Sequence, residues 1–371
     1  MRTVIPLLLA AAIAAAQPKQ STPVVSPDIH DDGSVTFRLL APEAREVALQ
    51  ILVNPDFQKL PMTKDDKGVW SVKVGPFEPG LSEYTFLLDG VSIIDPSNPL
   101  KKQGARGAGS SQLVIPGDPP RLWEMRASVP HGAVHVHWYR SPSWNIVRRF
   151  HVYTPAGYET GRARYPVLYL LHGSGDTDRE WTETGKANII LDSLIAQERA
   201  KPMIIVMPDG QSPEGTSDSV IERERQAVLF DRELIQGVMA EVEKMYRVDT
   251  TREARAIAGL SMGGEQALNI GLNHLELFSH IGVFSMGLKG SESDFIDTHE
   301  KAFASAEDTN RDLKLFWIAC GERDPLFEAA QKLDAVLTKQ QIRHTFRKSG
   351  GGHVWANWAA YLGEFAPQLF R

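Results

Sequence analysis

The chain has 371 residues, 42% of them hydrophobic and 23% charged, and a formal net charge of -6. That length accommodates about two domains, and the composition is that of a folded globular protein rather than a disordered or fibrous one. The mild acidity leaves no electrostatic footprint for nucleic acid, and the lone cysteine, Cys320, excludes an intrachain disulfide.

At the N-terminus, Arg2 precedes Val4-Ile5-Pro6-Leu7-Leu8-Leu9-Ala10 and a run of small residues, with Ala14-x-Ala16 before Gln17. This reads as a cleaved signal peptide over 1–16, which predicts a secreted or periplasmic protein. The run is short for a spanning helix and no cysteine near its end could take a lipid, so no stable membrane anchor is expected.

From 27 to 117 apolar residues alternate: Val35, Phe37, Leu39; Val47, Leu49, Ile51; Tyr84, Phe86, Leu88. Period two, broken by Pro, Gly and Asp, predicts antiparallel strands with one buried face. Asp89-Gly90 predicts a tight hairpin turn. With no helical period between Asp31 and Ile115, this region is expected to be an all-β, immunoglobulin-like sandwich. Asp31-x-Gly33-x-Val35-x-Phe37, Ala41-Pro42, Gly68-x-Trp70, Tyr84-x-Phe86 and Asp95-Pro96-x-Asn98-Pro99 resemble the early-set sandwich, related to glycogen-binding modules, that precedes several glycan-active enzymes. Some relatives hold glucans on exposed Trp residues. Here Trp70 alternates with Val72 and Val74 and is expected in the core.

The stretch from Gly104 to Pro120 is rich in Gly, Ser and Pro and marks the boundary before a second domain over 122–371. His135 to Tyr139 and Arg148 to Tyr153 predict two opening antiparallel strands. His135 and His137 share a face, but no third ligand accompanies them, so no metal is expected. Tyr165 to Leu171 predicts a buried strand ending in His172-Gly173-Ser174-Gly175, followed by a helix at Ala187–Ile195 and a strand at Met203–Met207. The polar stretch from Ser212 to Arg225 reads as a solvated loop or a lid. Ile235, Val238, Met239, Val242 and Tyr246 fit a helix. Strands follow near Phe278–Ser285 and Lys314–Cys320, then a helix after Pro325, a strand near Ile342–Phe346 and a last helix from about Val354. This alternation predicts an α/β-hydrolase fold: a mostly parallel sheet, helices on both faces, and ligands beyond the carboxyl ends of the strands.

The apolar run Arg255 to Leu260 leads into Gly259-Leu260-Ser261-Met262-Gly263, after which a helical pattern begins. That is the sequence form of a nucleophile elbow, and it nominates Ser261. In this fold the acid and the base follow the nucleophile along the chain. Of the histidines after Ser261, His353 alone follows a glycine-rich loop, Ser349-Gly350-Gly351-Gly352, ahead of the last helix. Asp324, just past the strand ending at Cys320, is the expected orienting acid, with Glu322 in reserve. The backbone N–H groups of Ser174 and Met262 are expected to hold an oxyanion. Trp181 and Trp355 are expected as aromatic walls against the substrate. Cys320 reads as a buried strand residue.

Asn188-Ile189-Ile190-x-Asp192-x-Leu194-Ile195, Pro202 to Pro208, Val242-Glu243-x-x-Tyr246-x-Val248, Arg255 to Gly264 and Gly352-His353-x-Trp355 resemble motifs of the esterase D-like serine esterases. Closest in pattern are the feruloyl and acetyl-xylan esterases of carbohydrate esterase family 1. The resemblance implies a cofactor-free serine hydrolase carried by Ser261, Asp324 and His353. Its expected substrate is acylated plant cell-wall polysaccharide or a small aromatic ester, with ferulate first and acetate second. Enterochelin esterases also pair a β-sandwich with such a domain. A siderophore esterase, a sugar acyltransferase and a non-catalytic glycan-binding protein are therefore the alternatives. Ser141-Pro142-Ser143-Trp144-Asn145 stands where many relatives have a Gly in the turn before the second strand.

Overall fold

The computed structural model describes residues 23–53, 56–104, 109–215, 217 and 219–371, and the expected signal peptide lies outside them. The front domain is a sandwich of two sheets. One has the strand order Asp28–Ile29, Val35–Leu40, Val69–Val74, Thr63–Lys64; the other runs Asp56–Pro61, Val47–Val53, Gly80–Leu88, Gly109–Ile115, Lys101–Gln103. Val35, Phe37 and Leu39 from one sheet meet Leu49, Ile51 and Phe86 from the other in one core. Each such side chain contributes about 1.5–3 kcal/mol by leaving water. The predicted turn forms: Asp89 and Gly90 both have positive φ, 47° and 86°, as a type I′ hairpin requires. Trp70 is buried, its indole N–H donating to the Ala41 carbonyl at 2.9 Å, so it offers no open sugar platform. The Tyr84 hydroxyl donates to Asp95 at 2.7 Å and accepts from Asn98 at 3.0 Å, which fixes the segment after the hairpin.

The second domain is built on eight strands: β1 (Ala133–Arg140), β2 (Val147–Thr154), β3 (Val167–Leu171), β4 (Ile204–Pro208), β5 (Arg255–Leu260), β6 (His280–Phe284), β7 (Leu315–Gly321) and β8 (Thr345–Ser349). Their order is β1-β2-β4-β3-β5-β6-β7-β8; β1 to β2 and β2 to β4 pair antiparallel and the remainder parallel. Every residue of β3 is buried, and its side chains divide by the period of two. Val167, Tyr169 and Leu171 join the layer with Val238 and Leu268, while Leu168 and Leu170 join the layer with Trp181 and Leu362. Both faces are thus covered by helices, as parallel strands demand. No helix among the described residues is long and apolar enough to cross a membrane.

The stretch expected to be a polar loop or lid is helical from Val220. The helix Val220–Arg232 is N-capped by Ser219, and Arg225 bridges Glu222 one turn away. It continues through a π-helical segment, Glu233–Met239, into Ala240–Met245. The fully buried Glu233 carboxylate accepts from the Tyr139 hydroxyl and from Ser141 Oγ at 2.6 Å. Gly237 passes so close to Pro142 that a Cβ there would lie 3.0 Å from its ring. The Ser141–Asn145 turn is therefore clamped onto the wide turn of this helix.

Candidate active site

β5 ends at Leu260, and the helix Met262–Asn273 begins two residues later. Between them Ser261 adopts φ 51° and ψ −119°, a conformation that costs a non-glycine residue on the order of 1–3 kcal/mol. The surroundings over-determine it. Ser261 N–H donates to the Phe284 carbonyl at 2.9 Å, and Glu265 N–H donates to the Ser261 carbonyl at 3.0 Å. The flanking glycines are required by close packing of backbone. A Cβ on Gly259 would lie 2.3 Å from the Gly263 carbonyl oxygen, and one on Gly263 would lie 2.5 Å from that of His172.

His353 and Asp324 are brought together at the carboxyl ends of β8 and β7. Nδ1 of His353 lies 3.1 and 3.0 Å from the two carboxylate oxygens of Asp324, whose side chain is fully buried. Burial pushes the Asp324 carboxyl up, but hydrogen bonds from His353, the Leu326 N–H and Ser285 outweigh it and hold it below its ordinary value. An ionised Asp324 assigns the ring proton to Nδ1 and leaves Nε2 as the acceptor. The ring packs edge-on against Trp358, centroids 4.9 Å apart, and the Trp358 indole N–H donates to Ser285 Oγ at 2.9 Å. Ser285, which carried no sequence signal, thus touches Asp324 and, through Trp358, backs His353. Glu322 is exposed and stands outside this contact. The other downstream histidines are engaged elsewhere: His274 with Asp231, buried His280 with Ser279 Oγ, buried His299 with the Phe295 carbonyl, and His344 with Asp334. Burial, and then the nearby Asp324, push the Cys320 thiol up to about 12, so it is a core thiol as expected.

Against Ser261 lies the turn after β3. A Cβ on Gly173 would lie 3.5 Å from that of Ser261, so the His172–Gly175 turn runs directly past the nucleophile. His172 is buried beneath it. Its Nδ1–H donates to the Gly173 carbonyl at 2.8 Å, and its Nε2 lies 2.8 Å from Gly210 N and 3.4 Å from Asp209 Oδ1. Met262 opens the nucleophile helix, so its N–H has no intrahelical acceptor.

The front domain reaches this turn. Lys102 Nζ lies 3.0 Å from Asp176 Oδ1 and 3.4 Å from Glu83 Oε1, with its side chain 18% exposed. Burial pulls the Lys102 ammonium down, but these carboxylates outweigh it and hold it above its ordinary value. Gln112 of the sandwich donates to Thr184 Oγ1 at 2.9 Å, and that hydroxyl donates to the buried Glu180 at 2.9 Å.

Trp181 and Trp355 correct an expectation. They are 1% and 3% exposed and meet edge to face with centroids 5.2 Å apart. The Trp181 indole N–H donates to the Leu171 carbonyl at 2.9 Å. Both are buried in one layer, where the helix Trp355–Phe365 folds its apolar face against β6 and β7, so they form no open substrate wall. His135 and His137 stack at 6.3 Å against Tyr246, and no group of three or more potential metal ligands occurs among the described residues.

Comparison with known proteins agrees with this architecture. The family model described as putative esterase matches residues 141–369, and carbohydrate-binding module 48 (isoamylase N-terminal domain) matches 23–101. An endo-1,4-beta-xylanase/feruloyl esterase of Xylanibacter ruminicola is 28% identical over 360 residues, covering 96% of this chain and 47% of that protein. The chain thus spans about half the length of that curated relative. The CE1 ferulic acid esterase of Anaeromyces mucronatus, solved with ferulic acid, superposes with a TM-score of 0.57 at 25% identity, covering 67% of this chain and 94% of that one. The enterobactin esterase of Shigella flexneri reaches a TM-score of 0.64 over 91% of this chain and 93% of that one, but at 19% identity, a likeness of fold.

Proposed function

The chain belongs to the esterase family whose model it matches, and on that premise we propose that it hydrolyses carboxylic esters through Ser261, His353 and Asp324. The observation that carries the reading is the buried Asp324 carboxylate held by both oxygens to His353 Nδ1. In the proposed reaction Nε2 takes the Ser261 proton as Oγ attacks the ester carbonyl. The N–H groups of Ser174 and Met262 hold the developing oxyanion, each contributing roughly 3–4 kcal/mol to the transition state. His353 returns the proton to the leaving alcohol, and water then enters by the same route to release the acid. The residues supply the nucleophile, the base and the oxyanion donors without a metal or an organic cofactor.

The preferred substrate is a feruloyl ester on plant cell-wall polysaccharide, acted on outside the cytoplasm. Support comes from the named activities of the xylanase/feruloyl esterase relative and of the ferulic acid esterase structure. The burial of Trp181 and Trp355 removes the expected aromatic walls, and that favours acetyl-xylan as the second reading. The deciding experiment is an ester panel of methyl ferulate, acetylated xylan, a short nitrophenyl ester and a siderophore trilactone. Ferulate release by the wild type and a loss of at least about 10⁴-fold in Ser261→Ala are expected. An active Ser261→Ala protein would sink the mechanism, and turnover confined to acetylated xylan or the trilactone would overturn the substrate.

A further inference from the structure

A groove of about 390 Å³ opens beside the oxyanion turn, between the β1–β2 hairpin, Thr177-Asp178 and the loop after β4. It has no part in the chemistry proposed above. Its floor is Arg148, whose side chain is only 4% exposed. The guanidinium lies 4.5 Å over the ring of Trp144, and Nη2 donates to the carbonyls of Asp209 at 2.6 Å and Gln211 at 2.7 Å. Those contacts fix the fork in place. Nη1 is buried without a hydrogen-bond partner, and so is Nε2 of Gln211, which lines the same groove. Buried donors are satisfied in the large majority of cases. Acceptor oxygens of a ligand in the groove would satisfy both donors.

The charge of the groove narrows the class of that ligand. Arg148 faces the Asp209 carboxylate at 3.6 Å. Arg149 forks onto Asp178 at 2.7 and 2.6 Å, and Asp178 also accepts from His151 at 2.7 Å. Both guanidinium charges are matched, so the fitting oxygens are neutral hydroxyls or ethers rather than carboxylates or catecholates. Part of the lining is apolar. Trp138 is 67% exposed, with the Arg149 guanidinium 5.3 Å from its ring, and Ile146 and Val147 stand exposed beside it. An exposed indole and hydrogen-bond donors lining one groove are the chemistry of sugar recognition: ring C–H groups lie on the aromatic plane and hydroxyls reach the donors.

The groove is continuous with the catalytic side. Thr177 and Asp178 follow the Ser174 turn along the chain, and Gly210 joins His172 to Gln266 of the nucleophile helix at 2.8 and 3.0 Å. We infer that this groove seats a neutral sugar residue of the ester-bearing polysaccharide, stacked on Trp138 with its oxygens on Arg148 Nη1 and Gln211 Nε2. This rests on the polysaccharide-ester reading and adds to it where the glycan lies.

The test compares a feruloylated arabinoxylan oligosaccharide with methyl ferulate in the wild type, Trp138→Ala and Gln211→Leu. The ratio of kcat/KM for the oligosaccharide to that for methyl ferulate is expected to fall about tenfold in each variant, mainly through KM. An unchanged ratio overturns the proposal. Calorimetry of the whole protein with an ester-free neutral xylo-oligosaccharide tests the groove apart from the esterase reading: binding that weakens in Trp138→Ala supports it even if no ester on the panel is cleaved. Equal binding by both proteins, or tighter binding of a uronate-bearing oligosaccharide, overturns it. Both substituted residues lie at the groove surface, and unchanged thermal unfolding of Trp138→Ala separates its effect from misfolding.

Discussion

His353 and Asp324 come from the loops that end two neighbouring strands, 29 positions apart, and meet through a single carboxylate–imidazole contact. The turn beside Ser261 is assembled from distant parts. The Gly173–Ser174 turn rests on His172, which is held by Gly210 from beyond β4, and on Asp176, which is held by Lys102 from the sandwich. The Asp324–His353 contact, the acid–base half, is thus built within the sheet's own loops, whereas the turn beside Ser261, the proposed oxyanion half, is also touched by the front domain, through Lys102 on Asp176.

The largest expected effect on the acid–base half comes from Asp324→Asn. The amide cannot hold the Nδ1–H tautomer or stabilise the imidazolium, so kcat on methyl ferulate should drop about 10⁴-fold. Chemical denaturation should show a folded protein whose sandwich contacts are intact. A loss below tenfold would break the comparison by showing that this half does not depend on its acid.

Next is Lys102→Met, which acts on the oxyanion half from the other domain. It strands Asp176 and Glu83 without their shared cation, and removing one partner of a largely buried pair costs about 3 kcal/mol or more. Stability by urea titration should fall by that order. kcat on methyl ferulate should fall about tenfold, the effect of an oxyanion donor displaced by a fraction of its hydrogen-bond length. Equal kcat in Lys102→Met would mean that the turn keeps its shape without the sandwich.

Glu180 sharpens the comparison through pH. Burial first, then Asp176 and Glu183, raise its carboxyl from an ordinary 4.5 to about 7, against the opposing pull of Thr184 and Lys102. Below pH 4.5 the folded and unfolded states both hold the proton and Glu180 has no effect. Between 4.5 and 7 the unfolded chain ionises first, so stability falls as pH rises, and the loss is complete above 7. Glu180→Gln should therefore unfold at the wild-type temperature near pH 4.5 and at a progressively higher one at pH 6 and 8. Parallel melting curves at all three values would contradict this.

The two halves also differ in how far they could be read from the chain. The Ser261 turn and the Asp324–His353 contact were legible because each signal is local: a glycine-flanked turn, an acid at a strand end, a glycine loop before a helix. The choice of Asp324 over Glu322 follows from burial just beyond β7, which a strand boundary already implies. The sandwich was legible from its period of two, down to the Asp89-Gly90 turn. Lys102 was not, because a lysine in a short polar strand acquires its role only when another domain docks on it. Trp181 and Trp355 were misread for the same reason: their distance along the chain from the site residues says nothing about which face the last helix covers. The helix from Val220 was hidden by its polarity, since charged pairs and a serine cap rather than an apolar face mark its first turns.

The smallest expected effect comes from Gln103→Ala, next to Lys102 in the same strand. Gln103 Oε1 accepts from Arg179 Nη1 at 2.8 Å, a cross-domain contact that is as short as any at this boundary but exposed. Water replaces such a bond at little cost, so stability should change by less than about 0.5 kcal/mol. Its neighbour one position earlier points the other way, into the carboxylates beneath the turn, and carries a cost several times larger. If the two substitutions destabilised equally, the domains would be held by their whole boundary rather than by one buried cation. Any dependence of the oxyanion turn on the sandwich would then be spread over many contacts, and no single residue of the front domain would govern the rate.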